Sequence, residues 1–176
     1  MKFQATSLAG AYLLELNRLE DSRGFFARSF CQQEFEAHGL NPAVAQCNIA
    51  YNHQAGTVRG LHYQRPPAAE CKLVRCSKGA IYDVIVDLRP ESPTYLQHVG
   101  ALLSEENRLA LYVPEMFAHG YQTLCDACEI HYQVSTPYTP GVEAGLRYND
   151  PRLAIAWPQP CELISEKDAN WPLLPA

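Results

Sequence analysis

The sequence contains no long apolar run. Residues 1–30 lack the uninterrupted apolar segment of a secretion signal, and no window of the 176 residues nears the ~18 apolar residues of a membrane span. We therefore expect a cytoplasmic protein that neither crosses nor binds a membrane.

Runs of basic residues are also absent. The chain has 14 lysines and arginines against 19 aspartates and glutamates, and its net charge is −5 at pH 7. This balance argues against a nucleic-acid partner, because nucleic acids are bound through extended basic patches. A site for an anionic small molecule would have to be a local cluster of cations.

No internal repeat, low-complexity tract or flexible linker interrupts the chain, so we predict a single domain over residues 1–176. The seven cysteines have no secretion signal beside them, and we expect them to be reduced and mostly buried. Cys125 and Cys128 form an isolated CxxC between two strand-like segments. We interpret it as a hairpin turn rather than a redox or metal site, because no second ligand pair is visible.

What the sequence does contain is many short strand-like segments separated by proline and glycine turns. We predict strands at residues 12–19, 44–51, 57–63, 72–77, 80–88, 97–103, 110–113, 121–124, 129–135 and 153–156. Two short helices are expected, one over residues 32–38 that ends at Gly39 and one that begins at Ser104. Many short strands with few helices indicate an all-β sandwich or barrel.

One of these segments, residues 81–88, is nearly all apolar and rich in β-branched residues. It predicts a central strand that is covered on both faces. Asp83 and Asp87 interrupt it. We expect each to be paired with a charge or to lie at a strand end, because a buried carboxylate needs a partner. Neither is predicted to be catalytic.

Polar side chains are concentrated in the segment 57–64. Strict alternation places His62 and Gln64 on one face of this strand and Arg59 on the other. Arg59 and His62 can then line one pocket only if the strand contains a bulge. Gly60 permits such a bulge, and the sequence leaves the question open.

Lys72 and Tyr132 are single polar residues on otherwise apolar strand faces. A few convergent polar groups in a mostly apolar interior are typical of a small-molecule site, although each could also be structural. A histidine base such as His62, an acid and a cation together suit proton abstraction next to a carbonyl group. Asp168 is one of several carboxylates that could orient His62.

Several motifs occur in a specific order along the chain. They are Arg23-Gly-Phe-Phe, Gln46-x-Asn48, Arg59-Gly-Leu-His-Tyr-Gln, Pro66-Pro67, Lys72-Leu-Val-Arg, Asp83-Val-Ile-Val-Asp-Leu-Arg, Ser92-Pro-Thr-Tyr, Phe117-Ala-His-Gly, Asp150-Pro and Ile164-Ser-x-x-Asp168. Over nearly its full length the chain resembles the dTDP-4-dehydrorhamnose 3,5-epimerase family. The resemblance implies a cupin-type double-stranded β-helix, or jelly roll, and a homodimer without metal or organic cofactor. It also implies a step of dTDP-rhamnose biosynthesis.

The implied substrate is a nucleotide-linked 4-keto-6-deoxyhexose, foremost dTDP-4-dehydro-6-deoxy-D-glucose, which becomes dTDP-4-dehydro-L-rhamnose. By this resemblance His62 is the base that removes the proton beside the keto group, and Asp168 orients it. Tyr132 is the acid that reprotonates the opposite face, and Lys72 stabilises the enolate oxygen.

The resemblance also implies two groups of substrate-binding residues. The sugar and phosphate region is lined by Arg59 and His119, with Tyr138 close by. The nucleotide is held by Arg23, Phe26, Arg28, Gln46 and Asn48, with the Arg23 segment reaching into the neighbouring subunit.

The chain departs from the family pattern at three positions. Arg28 stands where the family has glutamate, which leaves the preferred nucleotide base open. Met116 replaces a glycine and Ala50 replaces a serine. The catalytic positions match.

Three other functions compete with this one. A mono-epimerase acting on a different nucleotide sugar would use the same residues. A metal-dependent cupin would use the region of His62, Glu70 and His119, but Gln64 stands where its second ligand histidine belongs, and first-row metals prefer imidazole to a neutral amide. A non-catalytic sugar-binding module is the third, and it would not require an acid and a base.

Overall fold

Short β-branched and aromatic segments form strands along most of the chain. A computed structural model describes residues 1–175. Its helices are α1 Gln32–Ala37 and α2 Glu166–Ala169. Its strands are β1 Lys2–Ala5, β2 Tyr12–Glu15, β3 Leu19–Asp21, β4 Gly24–Phe26, β5 Gln46–Asn52, β6 Thr57–Gln64, β7 Lys72–Lys78, β8 Ala80–Asp87, β9 His98–Ser104, β10 Ala110–Val113, β11 Phe117–Thr123, β12 Cys128–Val134, β13 Glu143–Gly145 and β14 Leu163–Ile164.

The strands form two large sheets. The first has the order β1-β2-β10-β7-β12-β5, and the second has the order β13-β6-β11-β8-β9 with β14 added beside β6. All neighbours are antiparallel except β14, which runs parallel to β6. Strands β3 and β4 form a separate hairpin. This is the all-β jelly roll with a few short helices that the sequence predicts.

The main core fills the space between the two sheets. It combines Val74 and Ile130 from the first sheet with Ile85 and Phe117 from the second, and all four are fully or almost fully buried. Apolar residues facing each other in this way supply most of the stability of a sandwich. The cleft described below lies between the same two sheets.

Strand β8 is covered on both faces, as predicted. Ile85 faces the main core, whereas Val84 and Val86 belong to a second cluster on the other side of the sheet. Asp83 and Asp87 are both completely buried. Each is paired with a charged or chargeable neighbour, as a buried carboxylate requires.

Helix α1 ends close to Gly39, whose φ of +69° is the left-handed conformation predicted there. The predicted helix at Ser104 is wrong. Ser104 N donates to Asn107 Oδ1 at 3.0 Å and Asn107 N donates to Ser104 Oγ at 3.1 Å, so side chains close a turn instead. Neither helix in residues 1–175 is long and apolar enough to cross a membrane.

Two predicted strands also differ from the structure. The predicted strand 153–156 is wrong, because the backbone amides of Leu153 and Ala154 both bond to the carbonyl oxygen of Asp150 and turn the chain. The predicted strand 12–19 breaks after Glu15, and the chain pairs again only in β3. Strands β1, β4, β13 and β14 and helix α2 were not predicted.

The CxxC segment connects β11 with β12, which belong to different sheets. It is therefore a crossover between sheets and not the predicted hairpin turn. The sulfurs of Cys125 and Cys128 lie 3.5 Å apart as free thiols. All seven cysteines are free, but only Cys71, Cys76 and Cys128 are buried.

The end of β8 is fixed by a buried carboxylate. Asp87 accepts hydrogen bonds from Arg89 Nη2 at 2.8 Å, Ser92 Oγ at 2.5 Å and Thr94 Oγ1 at 2.7 Å. The Arg89 guanidinium also stacks on the Phe117 ring at 4.7 Å. Burial alone would raise the pKa of Asp87, but these hydrogen bonds hold its pKa far below the ordinary value of 3.8.

We predict that Asp87→Asn lowers the free energy of unfolding at neutral pH by about 2–3 kcal/mol, because it leaves buried donors without their charged partner. The native pKa of Asp87 is depressed, so its contribution is present at neutral pH and is lost as the pH falls below about 4. The difference between variant and wild type should therefore shrink in acid. Urea unfolding at several pH values measures this, with the exposed neighbour Glu91→Gln as the control. A pH-independent difference would contradict the prediction.

Candidate active site

A cleft between the two sheets has two adjoining parts. One is a cavity of about 280 Å³ that is lined by Gln46 and Asn48 at its outer end. The other is a cavity of about 220 Å³ that contains Arg59 and His119. His62, Lys72 and Tyr132 line both cavities and so mark the place where the two join.

These three side chains come from opposite walls of the cleft. His62 lies on β6 in the second sheet, whereas Lys72 on β7 and Tyr132 on β12 lie in the first sheet. Tyr132 is paired in register with Val74, two residues after Lys72, so both side chains point to the same face. A molecule in the cleft would have His62 on one side and Tyr132 on the other.

A change of register in β6 brings Arg59 and His62 to the same wall. His62 pairs with His119 and Arg59 pairs with Tyr121, so two residues of β6 face the single residue Gly120. Gly60 has a φ of +116°, and a Cβ there would lie 2.6 Å from Gly120 Cα. Only glycine allows this approach, and the bulge left open by the sequence is present.

His62 is held by a buried carboxylate. Its Nε2 lies 2.6 Å from Asp168 Oδ1, and the Asp168 side chain is only 6% exposed. Burial alone would raise the pKa of Asp168, but the hydrogen bond and charge of His62, with donors at Gly60 and Trp171, hold its pKa below the ordinary range. An ionised Asp168 keeps the proton of His62 on Nε2 and leaves Nδ1 free to accept another.

Several contacts place Asp168 itself. Ser165 caps helix α2 by accepting a hydrogen bond from Asp168 N at 3.1 Å. Asp168 Oδ2 accepts from Gly60 N at 3.1 Å, and Oδ1 accepts from Trp171 Nε1 at 3.3 Å. The indole ring of Trp171 fits against Gly145, where a Cβ would lie 2.3 Å from ring carbon Cε2.

Tyr132 is half-buried on the wall of the cleft opposite His62. Burial raises the pKa of its hydroxyl, Arg59 opposes this shift, and the negative charge of Glu70 adds to it. Tyr132 is therefore protonated at neutral pH and can donate a proton. The nearby Arg59 charge makes a transient phenolate less costly.

Two more polar pairs line the cleft. Lys72 Nζ lies 3.2 Å from Glu70 Oε1 and donates to the backbone oxygen of His62 at 3.3 Å. His119 Nε2 lies 2.8 Å from Asp83 Oδ1, although neither Asp83 oxygen makes a well-directed hydrogen bond within residues 1–175. His119 is the chargeable partner of this buried carboxylate.

Arg59 is fixed from the side away from the cleft. Its Nε donates to Asn52 Oδ1 at 2.7 Å, and the Asn52 amide nitrogen donates to the Tyr121 hydroxyl at 3.2 Å. At the outer end, Gln46 Oε1 accepts a hydrogen bond from Tyr138 N at 2.9 Å.

The structure thus gathers nine predicted residues at the cleft, namely His62, Asp168, Tyr132, Lys72, Gln46, Asn48, Arg59, His119 and Tyr138.

Three predicted nucleotide-binding residues lie away from the cleft of their own chain. Arg23 bonds to Asp21 within the β3–β4 hairpin, and Phe26 beside it is 70% exposed. Arg28 lies on the surface with its Nη1 3.7 Å from Glu34 Oε1. Their role as substrate contacts stays a prediction.

Sequence reasoning missed the residues that support the site. Trp171, which packs against Gly145, supports Asp168. Asn52 supports Arg59 by accepting a hydrogen bond from its Nε. Glu143 also lines the cleft and is paired with Lys167. The spacing of Trp171 three residues after Asp168 was the one available signal. The part of the chain that the structure describes has no group of three or more His, Cys, Asp or Glu side chains arranged to hold a metal.

Known proteins show the same combination of sequence and fold. Residues 5–176 match the family model described as dTDP-4-dehydrorhamnose 3,5-epimerase. The curated protein of that name from Sinorhizobium fredii is 42% identical over 175 residues, which is 99% of this chain and 90% of the relative. Its Escherichia coli counterpart is 42% identical over 165 residues, 93% of this chain and 89% of the relative.

Solved structures agree with these relatives. The crystal structure of dTDP-4-dehydrorhamnose 3,5-epimerase from Bacillus anthracis with TDP and PPi bound has a TM-score of 0.95 at 43% identity, and the match covers 98% of this chain and 99% of that one. The Legionella pneumophila dTDP-6-deoxy-D-glucose-3,5-epimerase in complex with dTDP-4-keto-L-rhamnose has a TM-score of 0.91 at 36% identity, covering 98% and 92%.

We predict that Gly145→Ala displaces the Trp171 ring and breaks its hydrogen bond to Asp168. The added methyl group overlaps the indole, so we expect a loss of about 1–3 kcal/mol in the free energy of unfolding. In a Trp157→Phe background, the emission of Trp171 should shift to longer wavelength.

Gly141→Ala is the control for the spectrum, because a Cβ there meets no described atom within 4 Å; its φ of +87° strains any residue but glycine, so it does not control for the loss of stability. It should leave the Trp171 emission unchanged. An unchanged spectrum for Gly145→Ala would show that the contact with Trp171 is not as described.

Proposed function

The chain belongs to the dTDP-4-dehydrorhamnose 3,5-epimerase family, and from this membership we propose how its cleft carries out the reaction. It is an epimerase that acts on a nucleotide-linked 4-keto-6-deoxyhexose, foremost dTDP-4-dehydro-6-deoxy-D-glucose, in dTDP-rhamnose biosynthesis. The comparisons support this function and not the mono-epimerase, metal-dependent or non-catalytic alternatives.

The observation that carries the mechanism is the placement of His62 and Tyr132 on opposite walls of one cleft. Inversion at a carbon requires that its proton leave from one face and return to the other. A single group on one wall would return the proton to the face from which it came. Two groups on facing sheets can remove the proton from one face of the carbon and deliver a proton to the other face.

In the proposed first step, His62 Nδ1 removes the proton from a carbon beside the keto group. The electron pair moves into the carbonyl and gives an enolate. Asp168 stabilises the imidazolium that forms, because it is ionised and lies 2.6 Å from Nε2. The ammonium group of Lys72 stabilises the negative charge on the enolate oxygen.

In the second step, the Tyr132 hydroxyl donates its proton to the opposite face of the same carbon. The carbonyl is restored and the configuration is inverted. The phenolate that remains faces the Arg59 charge, and exchange with water resets both groups. Repetition at the carbon on the other side of the keto group gives the doubly inverted product.

The two ends of the cleft suit the rest of such a substrate. Arg59 provides positive charge, and His119 a polar ring, for the sugar and phosphate region. Gln46, Asn48 and Tyr138 offer amide groups and an aromatic face at the other end, which suits a nucleotide. These assignments keep the roles expected from the sequence except for Tyr138, which was expected near the sugar and phosphate region and lines the same cavity as Gln46 and Asn48.

We also propose a homodimer in which the β3–β4 hairpin of one subunit reaches the cleft of its partner. The hairpin exposes Phe26 at 70% and Leu19 at 67%, beside the exposed Arg23. The outward face of the edge strand β5 exposes Ile49 at 62%. Large exposed apolar side chains of this kind mark an interaction surface.

Two broader expectations belong to the same proposal. We infer that residues 1–176 act as one epimerase domain, since the strands of the two sheets are interleaved along the sequence. We also infer a cytoplasmic location, which fits seven cysteines that are all free thiols among the described residues.

We predict that the enzyme exchanges deuterium from D2O into the carbons flanking the keto group of dTDP-4-keto-6-deoxyglucose. His62→Ala should reduce exchange by about 100-fold or more. Tyr132→Phe should retain exchange with retention of configuration but lose inversion by a similar factor, because proton removal needs only His62. Mass spectrometry and NMR measure both quantities and count the centres that react. Equal loss of exchange and inversion in Tyr132→Phe would contradict its role as the acid.

Mixing two inactive variants tests the shared site. In a mixed dimer of His62→Ala and Arg23→Ala subunits, one of the two clefts has an intact His62 and receives an intact hairpin from the partner. Random mixing should restore about a quarter of the wild-type activity, since half of the dimers are mixed and each has one intact site. Each variant alone should stay inactive or weak. If mixing restores nothing, Arg23 does not act across subunits.

A further inference from the structure

We propose that Glu70 is a positioning residue that aims the Lys72 ammonium group into the cleft. This inference rests on the proposed epimerase function and deepens it. Glu70 lies just before β7, lines the larger cavity, and has a side chain only 7% exposed. None of the proposed steps uses this carboxylate.

The backbone on both sides of Glu70 is fixed. The Thr136 hydroxyl donates to the carbonyl oxygen of Ala69 at 3.0 Å, and Cys71 N donates to Ser135 Oγ at 2.8 Å. The segment after β12 therefore holds the residue before Glu70 and the residue after it. The position of the Glu70 carboxylate in the lining of the cleft is therefore well defined.

Each carboxylate oxygen of Glu70 faces a hydrogen-bond donor. Oε1 lies 3.2 Å from Lys72 Nζ, and Oε2 accepts a hydrogen bond from Gln64 Nε2. The orientation of the Gln64 amide is set, because its Oε1 accepts from Thr139 N at 2.7 Å. A glutamine in place of Glu70 would turn its own amide group toward one of these two donors, so the site fits only a carboxylate.

This arrangement determines where Lys72 points. A lysine ammonium has three donors. One faces Glu70, and one is donated to the backbone oxygen of His62 at 3.3 Å. The third remains for the cleft, at the junction of the two cavities, where the enolate oxygen of the substrate would lie. Without Glu70, the flexible lysine would lose this fixed direction.

The Glu70 charge also affects the pKa of Tyr132, the proposed acid. Burial raises the pKa of Tyr132, Arg59 lowers it and Glu70 raises it further. Removing the Glu70 charge should therefore lower the pH at which Tyr132 loses its proton. The titratable or charged groups that line the cleft around Tyr132 are Arg59, His62 and Tyr63 on β6, Glu70 and Lys72 at the start of β7, His119 and Tyr121 on β11, and Tyr138 and Glu143 near β13.

The test compares two variants that separate the effect of the Glu70 charge from the effect of its side-chain length. Glu70→Gln keeps the length of the side chain but removes the charge, and Glu70→Asp keeps the charge but is too short to reach both donors. With dTDP-4-keto-6-deoxyglucose as substrate, kcat should fall about tenfold in each, the effect of losing a charge-assisted hydrogen bond to a catalytic group, with KM changed less. The alkaline limb of the kcat/KM profile should move to lower pH in Glu70→Gln only.

Controls distinguish this role from a merely structural one. Glu15→Gln removes a carboxylate from a surface pair with Lys2, outside the cleft, and should leave the kinetics unchanged. In a Lys72→Met background, Glu70→Gln should cost much less in kcat, because Glu70 acts through Lys72. Thermal unfolding verifies that each variant is folded. Should Glu70→Gln prove unstable, the kcat of Glu70→Asp decides.

The outcomes separate two failures. If the wild type is active but Glu70→Gln, or a folded Glu70→Asp, keeps full kcat and an unchanged pH profile, the role of Glu70 is overturned and the epimerase function stands. A full additional loss in the Lys72→Met background also overturns it. If the wild type neither exchanges nor inverts this or other nucleotide-linked 4-keto sugars, the proposed function itself fails.

Discussion

The close approach of Gly60 and Gly120 is the constraint on which the site depends. Because neither residue has a Cβ, the backbones of β6 and β11 can meet where a one-residue change of register occurs. The same irregularity turns the backbone amide of Gly60 toward Asp168. One packing requirement thus brings Arg59 and His62 to the same wall and helps to place Asp168, whose carboxylate contacts His62.

Charge in the cleft is organised as pairs in which the anion is the more deeply buried member. Asp168 lies behind His62, Glu70 behind Lys72, and Asp83 behind His119. Burying a carboxylate is costly unless a cation or several donors face it, so each pair fixes the position of its more exposed member. The lysine and arginine charges of the cleft are thus held at fixed places, although the chain as a whole has a net charge of −5.

The sequence predicted the strands, and the polar side chains that share the cleft, better than it predicted the connections. The apolar pattern of β8 and the polar tips of Lys72 and Tyr132 follow from side-chain alternation, which is a local property. The turn at Ser104 could not be predicted in this way, because side chain and backbone compete there over a few atoms. Whether Arg59 joins His62 depends on the partner strand β11, which the sequence of β6 does not contain. Arg23, Phe26 and Arg28 lie away from the cleft of their own chain, and side-chain alternation carries no information on such long-range placement.

Asp168, the carboxylate in contact with His62, comes from a segment near the end of the chain that has few regular strand contacts. Strand β14 pairs with β6 through only Leu163 and Ile164, and the four-residue helix α2 follows it. Such a segment can detach locally while the two large sheets stay folded, since local opening needs less free energy than global unfolding. The resting protein would then keep its jelly roll but lose the partner of His62. We therefore expect increased local opening of this one short segment to lower activity without a matching loss of global stability.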